Sequence, residues 1–222
     1  MNRPSRYGSI AFSAPVAERQ KAAGSIHSYG RFHRQGNDIG QPDRLDSRIA
    51  SLITGADSFF IATVTPTGWP YLQHRGGPSG FVQVLDPATI GFAEYSGNQQ
   101  YITIGNLDAD DKVALFFIDY PTRTRVKVYG RARVIEHCDD PQLLKRLLNT
   151  GHSEVRTACP RAIVIAVEAF DINCRRNIPV KYGADSVNER VRLARHDLLE
   201  ENADLRTRIA KLEQQLAGDD TG

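Results

Sequence analysis

The sequence predicts a mainly β protein with flanking helices: six or seven antiparallel strands forming a small barrel, followed by a C-terminal coiled-coil helix. Three observations carry this expectation. Between Phe59 and Val167, short apolar or alternating runs recur and are joined mostly by short turns, the pattern of an antiparallel barrel rather than a parallel sheet. Turn chemistry falls between those runs, at Pro66-Thr67-Gly68, Asp86-Pro87 and Tyr120-Pro121. From about Ser186 the apolar period changes to seven, which suits a helix that pairs with another helix.

Composition narrows the setting. The 222 residues are enough for one domain with appendages and a sizeable core. A hydrophobic share of 41% and a charged share of 24% are ordinary for a soluble globular chain. The formal net charge of +2 is too small to make nucleic acid or a membrane surface the main partner. Cys138, Cys159 and Cys174 are far apart and lack metal-ligand spacing, so inert thiols in a reducing compartment are expected, with no metal site. The start, Met1 to Tyr7, has no apolar targeting core, and no later run is long enough to span a bilayer. A cytoplasmic protein is the expectation.

Taken in order, residues 1–41 read as a polar, glycine-punctuated N-terminal extension with one short helix, capped by Ser13, started by Pro15 and ended by Gly24. Residues 42–183 read as the barrel domain. It opens with a helix after Pro42, since Leu45, Ile49, Leu52 and Ile53 share one helical face and Gly55 stops it. Strands follow at Phe59–Val64, Trp69–Arg75, Phe81–Leu85, Thr89–Tyr95, Lys112–Asp119 and Arg125–Glu136. The last of these alternates Val126, Val128, Gly130, Ala132 and Val134 with basic residues on the other face. A helix is expected from Asn98 through Leu107 and another from Pro141 to Asn149, before a final strand at Ala162–Val167.

Residues 184–222 form the third segment. Val191, Leu198, Leu205 and Leu212 recur every seven residues, with Ile209 and Leu216 in the complementary seam. With Leu205 and Leu212 at d, Asn202 falls at a, Glu201 (g) can meet Arg206 (e) of a parallel partner, and Arg208 (g) can meet Glu213 (e). That pattern fits a short parallel two-stranded coiled coil, and an amphipathic helix lying on its own domain is the alternative.

The chemistry concentrates in two polar segments at strand ends. In Gln73-His74-Arg75-Gly76-Gly77-Pro78 the glycines let backbone N–H groups approach a ligand, and Arg75 offers a forked donor to a phosphate. Gln73 and His74 add polar groups on alternating faces. In Tyr95-Ser96-Gly97-Asn98-Gln99-Gln100 the donors lead into the expected helix, a good place for an anion. Lys127 could reach the same region from a third strand. Each feature alone also fits an ordinary hairpin, surface arginine or capping residue.

Together these blocks resemble the pyridoxamine 5′-phosphate oxidase-like family. The resemblance runs through Asp57–Val64, Gly68-Trp69-Pro70-Tyr71, Gln73–Pro78, Gly97–Ile102 with Gly105-Asn106-Leu107, and Val128–Ala132. It implies a split β-barrel, a homodimer, and FMN held between the two protomers. Carried over by position, Arg75 would contact the flavin and its phosphate-bearing tail, and Gln73, His74 and Gly76 would line the same strand end. Tyr95 and Ser96 would lie beside the phosphate with Asn98, Gln99 and Gln100, and Lys127 would approach the ring.

The sequence departs from the family pattern in two places. Gln99 stands where the oxidases carry a cation, and losing such a contact costs about 1.5–3 kcal/mol. Arg175-Arg176-Asn177 stands where the subgroup carries Pro-Gln-His, and one of these arginines could restore the charge. The resemblance implies an FMN-dependent oxidoreductase acting on a small substrate or electron donor, without nucleic acid or membrane partners. A non-catalytic flavin- or haem-binding stress protein and a deazaflavin-dependent reductase are the alternatives. True pyridoxamine phosphate oxidation is not expected, because a heptad helix occupies the end where the substrate motif belongs.

Overall fold

A computed structural model describes residues 6–29, 39–151, 161–173 and 176–219, in two compact units divided in sequence between residues 178 and 179. The first unit begins with α1 (Arg6–Ala11), α2 (Ala14–Ala22) and α3 (Ile26–Tyr29). The predicted signals place α2: Ser13 is the extended N-cap, Pro15 sits in the first turn, and Gly24 turns out of the helix at φ +70°. Ser13 caps by backbone geometry alone, since its side chain makes no capping bond. The short helices α1 and α3 have no sequence signal of their own, and α1 is held from a distance by an ion pair from Arg6 to Glu168.

The apolar face predicted after Pro42 becomes α4 (Ser47–Gly55), where Asp46 accepts the Ile49 N–H at 2.8 Å. Ile49 and Ile53 are fully buried. The strands are β1 (Ser58–Val64), β2 (Pro70–Gly76), β3 (Val82–Asp86), β4 (Thr89–Glu94), β5 (Lys112–Asp119), β6 (Thr124–Glu136) and β7 (Arg161–Asn173). Between them lie α5 (Ile102–Ala109), before β5, and α6 (Pro141–Leu148), before β7. All seven strands pair antiparallel in the order β2-β1-β5-β6-β7-β4-β3. Strand β7 outruns its predicted end at Val167 because its polar extension is stabilised by distant residues. Glu168 pairs with Arg6 and with Arg131, the latter at 3.1 Å.

This sheet curls into a split barrel. Strands β1 and β4 are separated by three others in the sheet, yet the Phe59 and Phe92 rings meet edge-on at 5.2 Å. Phe59 also stacks on Phe117 at 5.0 Å and on Phe81 at 5.9 Å. Four aromatic rings thus fill the barrel's centre, with Ile61, Ile90, Leu115, Val126 and Ile163 around them. At Gly130 the β6–β7 register shifts, and a Cβ there would lie 2.5 Å from Ile165 Cγ2. The close strand approach at this bend therefore requires glycine.

Two helices brace the walls. In α6, Asp140 caps by accepting the Leu143 N–H at 2.9 Å, and the helix buries Leu144 and Leu147. In α5, Asn106 is buried and donates to Thr63 Oγ1 of β1 at 2.8 Å, which fixes the helix beside the strand. The second unit contains α7 (Ala184–Asp219), a helix of 36 residues. No described helix is long and apolar enough to cross a membrane.

Candidate functional site

The split in the barrel is the place to look for a site, because edge strand β2 has a ladder partner on one side only. In the β1–β2 register, Arg75 lies opposite Phe59, Gln73 opposite Ile61 and Tyr71 opposite Thr63. Those three β1 residues are buried, so Tyr71, Gln73 and Arg75 share the inward face of β2. With no further strand to cover them, they line the open seam. Tyr71 donates to Gln73 Oε1 at 2.5 Å, which holds the amide in place.

An ion pair crosses the seam. Arg75 Nη2 lies 3.0 Å from Glu94 Oε1 at the end of β4, although four strands separate β2 from β4 in the sheet. Arg75 Nε is buried and has no hydrogen-bond partner among the described residues. A buried donor of this kind is costly to leave unmade, so the guanidinium has capacity for a further acceptor.

Glu94 also faces a second cation. Its Oε2 is 3.6 Å from Arg161 Nη1, and Arg161 Nε is 3.0 Å from Glu136 Oε1. These contacts follow from register, since Arg161 of β7 sits opposite Glu94 of β4 and Glu136 of β6. The Arg161 guanidinium also lies 5.3 Å from the centre of the Tyr101 ring. Burial works against its charge, but the Glu136 hydrogen bond and the Glu136 and Glu94 charges outweigh that effect and raise its pKa.

The Arg75–Glu94 pair stands between two hollows. One, of about 110 Å³, is lined by Tyr71, Gln73, Ser96, Gln99, Gln100 and Arg161 among others. The other, of about 180 Å³, is lined by His74, Gly76, Phe81, Phe92, Ala93 and Tyr95. Arg75, Glu94 and Tyr95 border both. Each hollow alone is smaller than the roughly 300–1,000 Å³ typical of small-molecule sites.

Most residues singled out from the sequence therefore meet at the seam: Gln73, His74, Arg75, Gly76, Tyr95, Ser96, Asn98, Gln99 and Gln100 line one hollow or the other. His74 is on the opposite, exposed face of β2 from Arg75, with its ring 5.5 Å from that of Phe60. Lys127 is elsewhere. It lies on the outer face of β6, since neighbouring Val126 and Val128 point into the core, and its Nζ is 3.5 Å from the Tyr7 hydroxyl of α1. Burial, then the Asp171 and Tyr129 charges, push that phenol up to about 12, so it stays protonated at neutral pH.

Two expectations are corrected. The helix expected from Asn98 starts four residues later, at Ile102. Gln99 and Tyr101 both have left-handed backbones, φ 59° and 53°, which no α-helix accommodates. Asn98 instead accepts the Gln100 N–H through Oδ1 at 3.3 Å. The second correction concerns Gly77. A Cβ there would lie 2.7 Å from Phe81 Cγ, so its missing side chain makes room for a core ring rather than for a ligand. Arg176 is exposed, and Cys174 and Arg175 lie outside the described residues.

Sequence reasoning missed Glu94, Arg161 and Tyr101. Glu94 and Arg161 are 67 positions apart, and only the β4–β7 pairing brings them together. The one local hint was charge at strand ends, which is usually solvated.

A split antiparallel barrel with a seam crossed by the Arg75–Glu94 ion pair defines the class of protein, and sequence comparison supplies the family. Residues 45–172 match pyridoxamine 5′-phosphate oxidase, more than half of the chain, and the protein belongs to that family. No curated protein matches it. Among solved structures, HupZ of Group A Streptococcus is 17% identical, covering 63% of this chain and 100% of its own, at TM-score 0.46. An FMN-binding protein from Syntrophomonas wolfei is 13% identical, covering 56% and 83%, at 0.45. The protein Rv2991 of Mycobacterium tuberculosis is 15% identical, covering 68% and 96%, at 0.47.

Proposed function

We propose that this chain binds FMN at the seam between β2 and β4 and serves as a flavin-dependent oxidoreductase on a small substrate or electron donor. The observation that carries this reading is Arg75. It is an inward-facing guanidinium at an open sheet edge, with a buried Nε that no described residue satisfies. The surrounding donors fit a phosphorylated, polar-edged ligand. Ser96, Asn98, Gln99 and Gln100 flank the hollow together with the start of α5.

In this reading Arg75 holds the phosphate-bearing end, Gln73 presents an amide fixed by Tyr71, and the polar loop closes around the tail. Bound flavin supplies hydride or electron transfer, and the chain supplies orientation and a sheltered site. Because each hollow is small, a second copy of the chain completes the site, as a homodimer with flavin between the protomers. Lys127 and Arg125 on the outer face of β6 are then available to the neighbouring protomer's flavin. The scattered cysteines suit a reducing, cytoplasmic setting.

Turnover is tested by mixing FMN-loaded protein anaerobically with NADH or NADPH. Bleaching of the flavin bands, followed by recovery on adding an electron acceptor, is expected. Flavin that stays bound and oxidised through this treatment would instead make the protein a carrier.

The tail supports the dimer independently. Val191, Leu198, Leu205, Ile209 and Leu212 are between 49 and 60% exposed, a continuous apolar stripe that one helix cannot cover alone. A second copy is the occupant with matching charge, since Glu201 and Arg206 occupy g and e positions that pair across a parallel dimer. We predict near-complete disulfide cross-linking of a Leu205→Cys variant under mild oxidation, with little for Thr207→Cys on the outer surface. Equal cross-linking at both positions would show that the stripe does not pair in this register.

A further inference from the structure

The ion pair that crosses the seam occupies the group the ligand needs. Arg75 borders both hollows, and its Nη2 is engaged by Glu94. The same pair separates the two hollows, each too small for a flavin. A ligand spanning the seam must therefore displace Glu94 from Arg75, and that carboxylate needs another cation. Arg161 is positioned to be that cation, 3.6 Å from Glu94 Oε2 and directly opposite Glu94 in the β4–β7 ladder.

We propose that Glu94 is a built-in competitor for the anion site, and that Arg161 is the positioning residue that takes the Glu94 carboxylate when an anionic ligand claims Arg75. This rests on the seam being the FMN site. The asymmetry of the three residues supports it. Glu94 and Arg161 sit on hydrogen-bonded neighbouring strands, so their separation is fixed by the ladder. Arg75 reaches Glu94 across a gap that no ladder spans, so it is the contact that can open. Arg161 is kept in place meanwhile by Glu136 at 3.0 Å and by the Tyr101 ring. The exchange needs no large backbone movement. One carboxylate shifts its share between two guanidiniums, and the hollows join. It also accounts for a phosphate site with neutral Gln99 in place of a cation: affinity is set by how readily Glu94 leaves Arg75.

The test is a double-mutant cycle read by equilibrium titration of the full-length apoprotein with FMN and, separately, with riboflavin, which lacks the phosphate. Glu94→Gln removes the competitor and keeps the side-chain shape, so FMN affinity is expected to rise about tenfold, with riboflavin affinity changed far less. A gain of affinity cannot come from a misfolded variant. Arg161→Gln removes the cation opposite Glu94 in the β4–β7 ladder, and FMN affinity is expected to fall about tenfold. In the Glu94→Gln background the Arg161→Gln loss is expected to vanish, because no carboxylate remains to be relocated. If Glu94→Gln leaves FMN affinity unchanged, or if the Arg161→Gln loss persists undiminished in the double variant, the proposal is wrong and Arg161 acts on the ligand directly or not at all. Wild-type protein that takes up neither FMN nor riboflavin would overturn the flavin reading itself, a separate outcome.

Discussion

Replacing Arg75 by alanine is expected to weaken FMN binding by about 10- to 150-fold, the loss of a charge-assisted contact of about 1.5–3 kcal/mol. The guanidinium is only 20% exposed and lies on the inward face of β2 opposite the fully buried Phe59. Its interaction with an anion is therefore poorly screened. Riboflavin affinity should fall much less, since the lost partner is the phosphate. Arg75→Lys keeps the charge but not the forked geometry, and is expected to recover only part of the affinity. Folding stability should change little in either variant, because Glu94 retains Arg161 at 3.6 Å. Fluorescence titration with both flavins checks this directly. Equal losses for FMN and riboflavin would show that Arg75 shapes the seam without meeting the phosphate.

The second large effect concerns the fold. Phe59→Ala is expected to cost about 3–5 kcal/mol, a large share of the roughly 5–15 kcal/mol that stabilises a typical domain. Phe59 is 1% exposed and touches the rings of Phe81, Phe92 and Phe117. These contacts join β1 to β4 across the barrel, where no ladder does. Phe60, one position along, faces outward towards His74, and Phe60→Ala should cost about 1 kcal/mol or less, as surface changes usually do. Urea denaturation of the two variants separates the cases. Similar midpoints would mean that the sheet does not curl around Phe59. Because Phe59 and Arg75 are register partners, loss of the first should also loosen the seam.

The strands were largely legible because period-two alternation and proline–glycine turns are local. Val126 and Val128 alternate with Arg125 and Lys127 in the sequence and on the two faces of β6 alike. Arg75, Gln73 and the polar loop were legible through family resemblance and strand-end placement. Three things were not. Glu94 and Arg161 carry no local signal of their pairing, since their meeting depends on β7 returning beside β4. The start of α5 was misplaced because helix-compatible residues at 98–101 gave no warning of left-handed backbone at Gln99 and Tyr101. The contact of Lys127 with the Tyr7 hydroxyl of α1 was not legible either, since it is made across 120 residues.

The most direct test of the central claim is the visible absorbance spectrum of the full-length protein as purified and after incubation with FMN, followed by release and identification of the chromophore. The account predicts a two-banded yellow flavin spectrum and recovery of FMN in near-stoichiometric amount. A protein that is colourless as purified and takes up no added FMN would contradict it.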